Sequence, residues 1–455
     1  MSAAFPPVFA GRRFAVMGLG RNGLPAALAL ASMGAEVTAW DDDPAARAAA
    51  HSVQLSESLE GAEALILSPG IPHTFPSPHP VAARALALGI PILSDAELLY
   101  RAVRASGSKA RFIGVTGTNG KSTTTALIAH ILKSSGLPVA AGGNLGPAAL
   151  ALPLLPDDGY YVIEMSSYML ERIADLRFNI AILLNLSPDH LDRHGGMEGY
   201  IAAKQRIFVH RTDRGIAIVG IDDPHSRAVA ASLAPHLICI SGEKTADVWC
   251  ESGTLCNRGD SILTMNEAAA LPGTHNAQNA AAAAAAALAI GLARPQIAAG
   301  IRSFPGLPHR MQFICHADGI AFVNDSKATN ADSVARALAC YPRVVWIAGG
   351  IAKEGGIEPL APFFPRIAEA LLIGRDAPLF AATLARHNVP HRIVFQLDEA
   401  VPAALASART HAASVVLLSP AAASFDQFKG FPERGERFAR LARALTCSPP
   451  AGKAA

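Results

Sequence analysis

Two short segments of this sequence carry residue types that can hold phosphate. One is Gly117-Thr118-Asn119-Gly120-Lys121-Ser122-Thr123, which follows an apolar run, Phe112 to Val115, and opens a helical pattern reaching about Ser134. Glycines there expose backbone N–H groups to phosphate oxygens, Lys121 brings positive charge to the terminal phosphates, and the Ser122 hydroxyl suits magnesium. The spacing departs from the usual phosphate loop, Gly, four residues, then Gly-Lys. Here five residues separate Gly114 from Gly120, and two separate Gly117 from Gly120. A plain turn with a capped helix is the competing reading, and Gly-Lys-Ser directly after a strand speaks against it. The other segment is Gly18-Leu19-Gly20-Arg21-Asn22-Gly23, set between a strand pattern, Arg13 to Met17, and an Ala/Leu-rich helix. A second strand, Glu36 to Trp40, then ends in Asp41-Asp42-Asp43. Read alone, that order fits a nicotinamide dinucleotide and hence an oxidoreductase.

Further candidates follow predicted strands. Glu164 directly follows Tyr160 to Ile163, where an acid could hold magnesium opposite Ser122 or could equally be a helix N-terminal acid. Asp189-His190-Leu191-Asp192-Arg193-His194 follows the strand Ile180 to Asn185; His190 and His194, four apart, could share a helix face and a zinc ion, given further ligands. Lys204, in Tyr200-Ile201-Ala202-Ala203-Lys204, reads on its own as a surface helix lysine. The cysteines, Cys239, Cys250, Cys256, Cys315, Cys340 and Cys447, form no Cys-x-x-Cys pair, so neither a zinc site nor a redox motif is indicated and reduced thiols in a cytoplasmic protein are expected.

These residues need several folded elements to position them. At 455 residues the chain exceeds one core, and about 150 residues per domain gives roughly three domains. With 51% hydrophobic and 17% charged residues, there is ample material to bury. The net charge of +2 gives no reason to expect nucleic acid or an anionic membrane as partner. Neither a secretory signal nor a membrane span is visible, and a monomer is the default. Strands at Ala64 to Leu67, Ala321 to Asn324, Val344 to Ala348, Ala370 to Ile373 and Val415 to Leu418, interleaved with helical stretches, predict an α/β chain with parallel sheets. The alanine run Ala280 to Ala287 reads as part of a long helix from about Asn276. Polar or turn-rich stretches at Arg104–Lys109 and Ser303–Pro308 mark candidate hinges for a closing motion.

With these segments laid out, the chain resembles the muramyl ligases, ATP-dependent amide-bond enzymes of peptidoglycan precursor assembly. The resemblance covers nearly the whole chain apart from the tails. It rests on Gly117–Thr123, Gly143-Asn144-Leu145-Gly146, Asp189–His194, Ala203-Lys204, His275-Asn276-Ala277-Gln278-Asn279 and Gly306-Leu307-Pro308-His309-Arg310, in that order. Three further blocks look like the branch that adds D-glutamate: Asn324–Asn330, Gly349-Gly350-Ile351-Ala352-Lys353, and Ser419 to Phe431. The Asp-Asn-Pro-Arg block expected of the diaminopimelate- or lysine-adding branch is missing. The same chemistry with L-glutamate stays open, since chirality changes the amine's direction and not the charges.

The resemblance implies three domains: a Rossmann-like UDP-substrate domain over 1–105, a P-loop-type ATPase domain over 106–306 and a Rossmann-like glutamate domain over 307–455. It implies that ATP phosphorylates the terminal carboxylate of UDP-N-acetylmuramoyl-L-alanine and that the D-glutamate amine attacks the acyl phosphate. Lys121 and the loop Gly117–Thr123 would hold the phosphates, with Ser122 and Glu164 on one magnesium ion. His190 would serve a second magnesium ion, and Lys204 would carry a CO2-derived carbamate as an anionic ligand. Asn276, Asn279, Arg310 and Asp325 would contact ATP. Asn144, Ser166 and His190 would contact the muramyl substrate. Arg21, Asn22, Asp41 and Ser68 would contact its uridine diphosphate, replacing the nicotinamide reading of the first glycine turn. Lys327, Thr329, Lys353, Ser424 and Phe431 would surround the incoming glutamate.

Overall fold

The computed structural model describes residues 4–233, 235–353 and 355–446, and of Thr274 and His275 the helical backbone only. Cys447 lies outside the described residues. Five strands form a parallel sheet in the first segment: β1 (Arg13–Met17), β2 (Glu36–Trp40), β3 (Gln54–Leu55), β4 (Ala64–Leu67) and β5 (Ile92–Leu93). Their spatial order is β3-β2-β1-β4-β5. Met17, the last residue of β1, pairs with Trp40 on one side and Leu67 on the other. The glycine turn after Met17, Asp41 and Ser68 therefore lie at one carboxyl edge.

The second sheet has nine strands: β6 (Arg111–Thr116), β7 (Val139–Gly143), β8 (Tyr160–Glu164), β9 (Phe178–Leu183), β10 (Arg211–Gly220), β11 (Leu237–Ser241), β12 (Val248–Glu251), β13 (Thr254–Asn257) and β14 (Asp260–Thr264). In space they run β14-β13-β12-β11-β10-β9-β6-β8-β7, parallel except for the first two pairings, β14 with β13 and β13 with β12. Strands such as Tyr160-Tyr161-Val162-Ile163 are apolar throughout because helices cover both faces. The order reverses at β6, which sits between β9 and β8, and such a switch point opens a crevice at the strands' carboxyl ends. Val115 pairs with Glu164, and Glu164 with Gly143, so the phosphate loop, the acid and the Gly143–Gly146 turn are neighbours by register alone. Behind the loop, helix Lys121–Ser134 packs on helix Thr274–Ile290, whose run Ala280–Ala287 is wholly buried. Alanine favours helix and its small side chain permits this close approach.

A third sheet uses β15 (Gln312–Ala317), β16 (Ile320–Asn324), β17 (Val344–Gly349), β19 (Ile367–Ile373), β20 (His391–Phe395) and β21 (Val415–Leu418), in the order β15-β16-β21-β17-β19-β20. Between them β18 (Ile351–Ala352) and β22 (Ala422–Ala423) pair as an antiparallel ribbon. The fold class expected from sequence is thus found. The chain divides into two compact units, one reaching Ala269 and including Thr274–Phe304, the other comprising Ala270–Gly273 and the residues from Pro305 onward. The first two sheets share the first unit.

Inside that unit the first and second segments are locked by buried polar contacts. The Asp95 carboxylate accepts from Ala149 N at 2.7 Å, and burial pushes its pKa up to about 6. Fully buried Glu97 accepts three backbone N–H groups, of Ala174, Asp175 and Leu176. The Arg104–Lys109 stretch, expected as a hinge, is a turn braced by Arg104, which donates to the Ser108 and Ala110 carbonyls. Among the described residues no helix is long and apolar enough to cross a membrane.

Candidate functional site

The phosphate loop departs from β6 through Gly117 (φ 146°) and ends at Gly120 (φ 82°), which caps helix Lys121–Ser134. A side chain at 120 would meet both the left-handed backbone penalty and Asn279 Oδ1 at 2.2 Å. Asn279 lies against the loop, with its Oδ1 accepting from the Thr124 hydroxyl and its amide donating to Asn276 Oδ1. Asn185 holds the loop from below: its Oδ1 accepts from Asn119 N at 2.9 Å and its amide donates to the Asn119 carbonyl at 3.3 Å. The Lys121 ammonium donates to the carbonyls of Gly117 (2.9 Å) and Thr118 (2.8 Å). Ser122 is buried in the first turn of the helix, with Thr123 beside it half-buried.

Lys204 overturns its reading as a surface residue. Only 2% exposed, on helix Met197–Val209, it lies over the Tyr200 ring at 4.7 Å and donates to the Gly117 carbonyl at 2.9 Å. Burial, then the Lys121 charge, holds its pKa well below that of an ordinary lysine, against the opposing pull of Asp189 and Glu164. Lys121 and Lys204 thus share one carbonyl oxygen as acceptor. Two ammonium groups so placed repel each other, and loss of charge on Lys204 relieves the conflict.

Glu164 is the last residue of β8 rather than the residue after it, and is 1% exposed. Its Oε1 accepts from the Asn144 amide at 2.8 Å, whereas its Oε2 is buried without a hydrogen-bond partner. An orphan carboxylate oxygen, close enough to buried Lys204 to act on its charge and on the strand that pairs with the one leading into the loop, is a donor that suits a hard divalent cation. Ser166 caps the short helix Ser167–Leu170 by accepting from Met169 N.

His190 stands exposed at the left-handed start of helix Leu191–His194, and burial of part of its ring lowers its pKa, with Asp189 opposing and Lys121 and Lys204 adding to the shift. The zinc pairing with His194 is not made. His194 is buried, with Nδ1 on Glu171 (3.1 Å) and Nε2 on the Ser167 hydroxyl (2.9 Å). Among the described residues no group of three or more His, Cys, Asp or Glu is arranged to hold a metal.

At the first sheet's carboxyl edge, Asp41 accepts from Leu19 N at 2.6 Å and Asp43 N at 2.9 Å. The Ser68 hydroxyl donates to the Gly18 carbonyl at 2.9 Å. Asn22 occupies the cap position of helix Gly23–Ser32 without a side-chain cap bond, and exposed Arg21 donates to the Leu145 carbonyl. The first glycine turn and the Asn144 turn therefore meet.

In the second unit, Asp325 at the end of β16 is buried, accepts from the Ser419 hydroxyl and Met311 N, and has its pKa pushed up to about 7 by burial. Arg310 is half-buried and lies close enough to pull that pKa back down. The Lys327 ammonium lies 4.8 Å over the Phe431 ring, and Thr329 follows on the same loop. Ser424 is buried just after the β18–β22 ribbon, and Lys353 follows that ribbon exposed. Sequence reasoning missed Arg434, 1% exposed, whose guanidinium donates to Ser326 Oγ and to the carbonyls of Ser326 and Ala422, binding these loops together. It also missed Asn185 and Arg172.

Comparison with known proteins adds the context for this geometry. Residues 115–287 match the model of the Mur ligase middle domain, and residues 309–422 that of the Mur ligase, glutamate ligase domain. The chain is 49% identical over 452 residues to a UDP-N-acetylmuramoylalanine--D-glutamate ligase of Paramagnetospirillum magneticum, covering 96% of this chain and 98% of that one. It is 48% identical to the protein of the same name from Rhizobium johnstonii, covering 95% of each. Among solved structures, the UDP-N-acetylmuramate-alanine ligase of Thermotoga maritima superposes with a TM-score of 0.62 at 18% identity, covering 95% of this chain and 99% of that chain. MurF from Acinetobacter baumannii superposes with a TM-score of 0.57 at 21% identity, covering 80% and 87%. These two likenesses concern the fold alone.

Proposed function

Because the chain belongs to the Mur ligase family, we propose that it joins D-glutamate to UDP-N-acetylmuramoyl-L-alanine at the expense of ATP, in peptidoglycan precursor synthesis. The observation that carries this reading is near full-length identity to ligases so named, at 49% and 48%. Family membership sets aside the oxidoreductase reading of the first glycine turn.

The reaction needs a carboxylate oxygen of the alanyl group to attack the γ-phosphorus of ATP, giving an acyl phosphate and ADP. The D-glutamate amine then attacks the acyl carbon, a tetrahedral intermediate forms, and phosphate departs as the amine loses its proton. Anionic oxygens crowd both steps, so cationic and N–H groups must offset their repulsion. Lys121 and the N–H groups of Gly117–Thr123 bind the phosphates. A magnesium ion, when bound, supplies further positive charge there. Ser122 and the orphan Oε2 of Glu164 would hold one such ion, and His190 with a carbamate on Lys204 a second. Two features support the carbamate: the lowered pKa of Lys204, which favours the neutral, nucleophilic form of the amine, and its conflict with Lys121 over one carbonyl.

Asn144, Ser166 and His190 orient the muramyl substrate, whose uridine diphosphate lies on Arg21, Asn22, Asp41 and Ser68. Asn276, Asn279, Arg310 and Asp325 serve ATP, Asn279 by shaping the loop. Lys327, Thr329, Lys353, Ser424 and Phe431 receive glutamate, where two lysines balance two carboxylates. A pathway that consumes ATP and a UDP-linked intermediate places the enzyme in the cytoplasm. The test is phosphate release from ATP with and without each of the other two substrates. Release that requires both supports the ligase, and release independent of glutamate refutes it.

A further inference from the structure

We propose that Arg172 is a positioning residue that fixes the uridine-diphosphate-binding edge of the first sheet from the second sheet. The proposal rests on the ligase reading and extends it to a residue outside every recognisable motif. Arg172 follows the short helix Ser167–Leu170 and is 2% exposed. Its guanidinium donates to the Leu67 carbonyl at 2.8 Å, the Ser68 carbonyl at 3.1 Å and the Ile71 carbonyl at 2.6 Å. It also donates to His73 Nδ1 at 3.2–3.3 Å, and burial holds His73 neutral with its pKa lowered to about 4. Among the described residues Arg172 forms no salt bridge. Burying a guanidinium without a carboxylate partner is costly, so its hydrogen bonds must carry its purpose.

Those bonds act on a turn that cannot move in pieces. A side chain added at Gly18 would come within 2.7 Å of the Ser68 side chain, and one at Gly23 within 1.7 Å of the Gly18 carbonyl. The Ser68 hydroxyl already donates to that same carbonyl. A shift of Ser68 therefore shifts the whole glycine turn. Arg172 also draws three carbonyl dipoles toward itself, and these would otherwise repel a diphosphate brought to the same edge. Arg193 repeats the device farther along, donating to the carbonyls of Gly70 (2.9 Å) and Phe75 (3.2 Å) while lying over the Tyr168 ring. The segment from Glu164 to Arg172 is nine residues long and carries Glu164, Ser166 and Arg172, so one short stretch links the carboxylate proposed to hold magnesium to the uridine end.

A purely structural staple would lower stability and disturb every substrate alike, whereas a positioning role is selective. The experiment compares wild type, Arg172→Ala and Arg172→Lys by steady-state kinetics for each substrate and by calorimetric titration with UDP. Arg172→Ala is expected to raise KM for UDP-N-acetylmuramoyl-L-alanine about tenfold and to weaken UDP binding to match, leaving KM for ATP and D-glutamate within about twofold. Arg172→Lys keeps the charge but cannot reach all three carbonyls, and is expected to fall between. An unchanged KM for the UDP substrate, or equal rises in all three, overturns the proposal. If Arg172→Ala does not fold, Arg172→Lys decides by the same criteria. Should the wild type show no glutamate-dependent phosphate release, the ligase reading fails and the UDP titration still decides: weaker binding in the variant supports the role, and equal or no binding in either protein overturns it.

Discussion

Two glycine turns in this molecule share a plan and differ in chemistry. Each leaves a strand flanked by parallel neighbours on both sides, after Met17 in one and Thr116 in the other, and each opens a helix. At the first turn the Asp41 carboxylate is spent on backbone N–H groups, and the turn's own Arg21 donates to the Leu145 carbonyl. At the second, two lysines converge on one carbonyl, and a buried carboxylate oxygen next to them lacks a partner. The first arrangement is satisfied and suits a ligand that is held. The second crowds two cations onto one acceptor and suits one that reacts. Fold alone therefore sets where a nucleotide lies, and the side chains around the turn set what happens to it.

The sharpest way to break this contrast is at Lys121. Lys121→Ala should lower kcat/KM by about a thousandfold, from the lost charge at the transferring phosphate. Next comes Lys204→Ala, expected to lower kcat about a hundredfold or more with KM values less affected, since the lost anionic ligand acts on the chemical step. Adding a small carboxylate such as formate should restore part of that rate, and absence of any rescue would count against the carbamate. Gly120→Ala should raise KM for ATP and cost about 1–3 kcal/mol of stability in a thermal melt, because the position combines positive φ with the 2.2 Å approach to Asn279. At the other turn the effects are smaller. Asp41→Asn should raise KM for the UDP substrate several-fold and cost about 1 kcal/mol from weakened bonds to Leu19 N and Asp43 N. The smallest effect concerns the contact between the two segments. Burial raises the Asp95 pKa to about 6 in the folded chain, so its contribution to stability is complete at low pH and is lost as pH rises toward 6. Asp95→Asn should flatten that slope in denaturant titrations run from pH 4 to 7.

Much of the reacting turn was legible because its residues are local. Gly-Lys-Ser after a strand, and an acid at the end of the neighbouring strand, are patterns of a few consecutive residues whose meaning the sheet supplies. Lys204 was legible only by resemblance, since nothing in Tyr200 to Phe208 announces that Gly117, some ninety residues earlier, will cover it. His194 misled by spacing: four residues from His190 looked like a ligand pair, but Glu171 and Ser167 claim both ring nitrogens. Arg172 and Arg434 were silent for a general reason. Each bonds chiefly to backbone carbonyls, and a carbonyl belongs to every residue, so no partner type stands elsewhere in the sequence to betray the pair.

The lysine-rich turn delivers phosphate to a carboxylate, and D-glutamate captures the acyl group so activated. Phosphate release measured with ATP, UDP-N-acetylmuramoyl-L-alanine and either enantiomer of glutamate tests it most directly. Release is expected with D-glutamate, and near-background release with L-glutamate or with no amino acid. Equal release with both enantiomers, or release independent of glutamate, would contradict it.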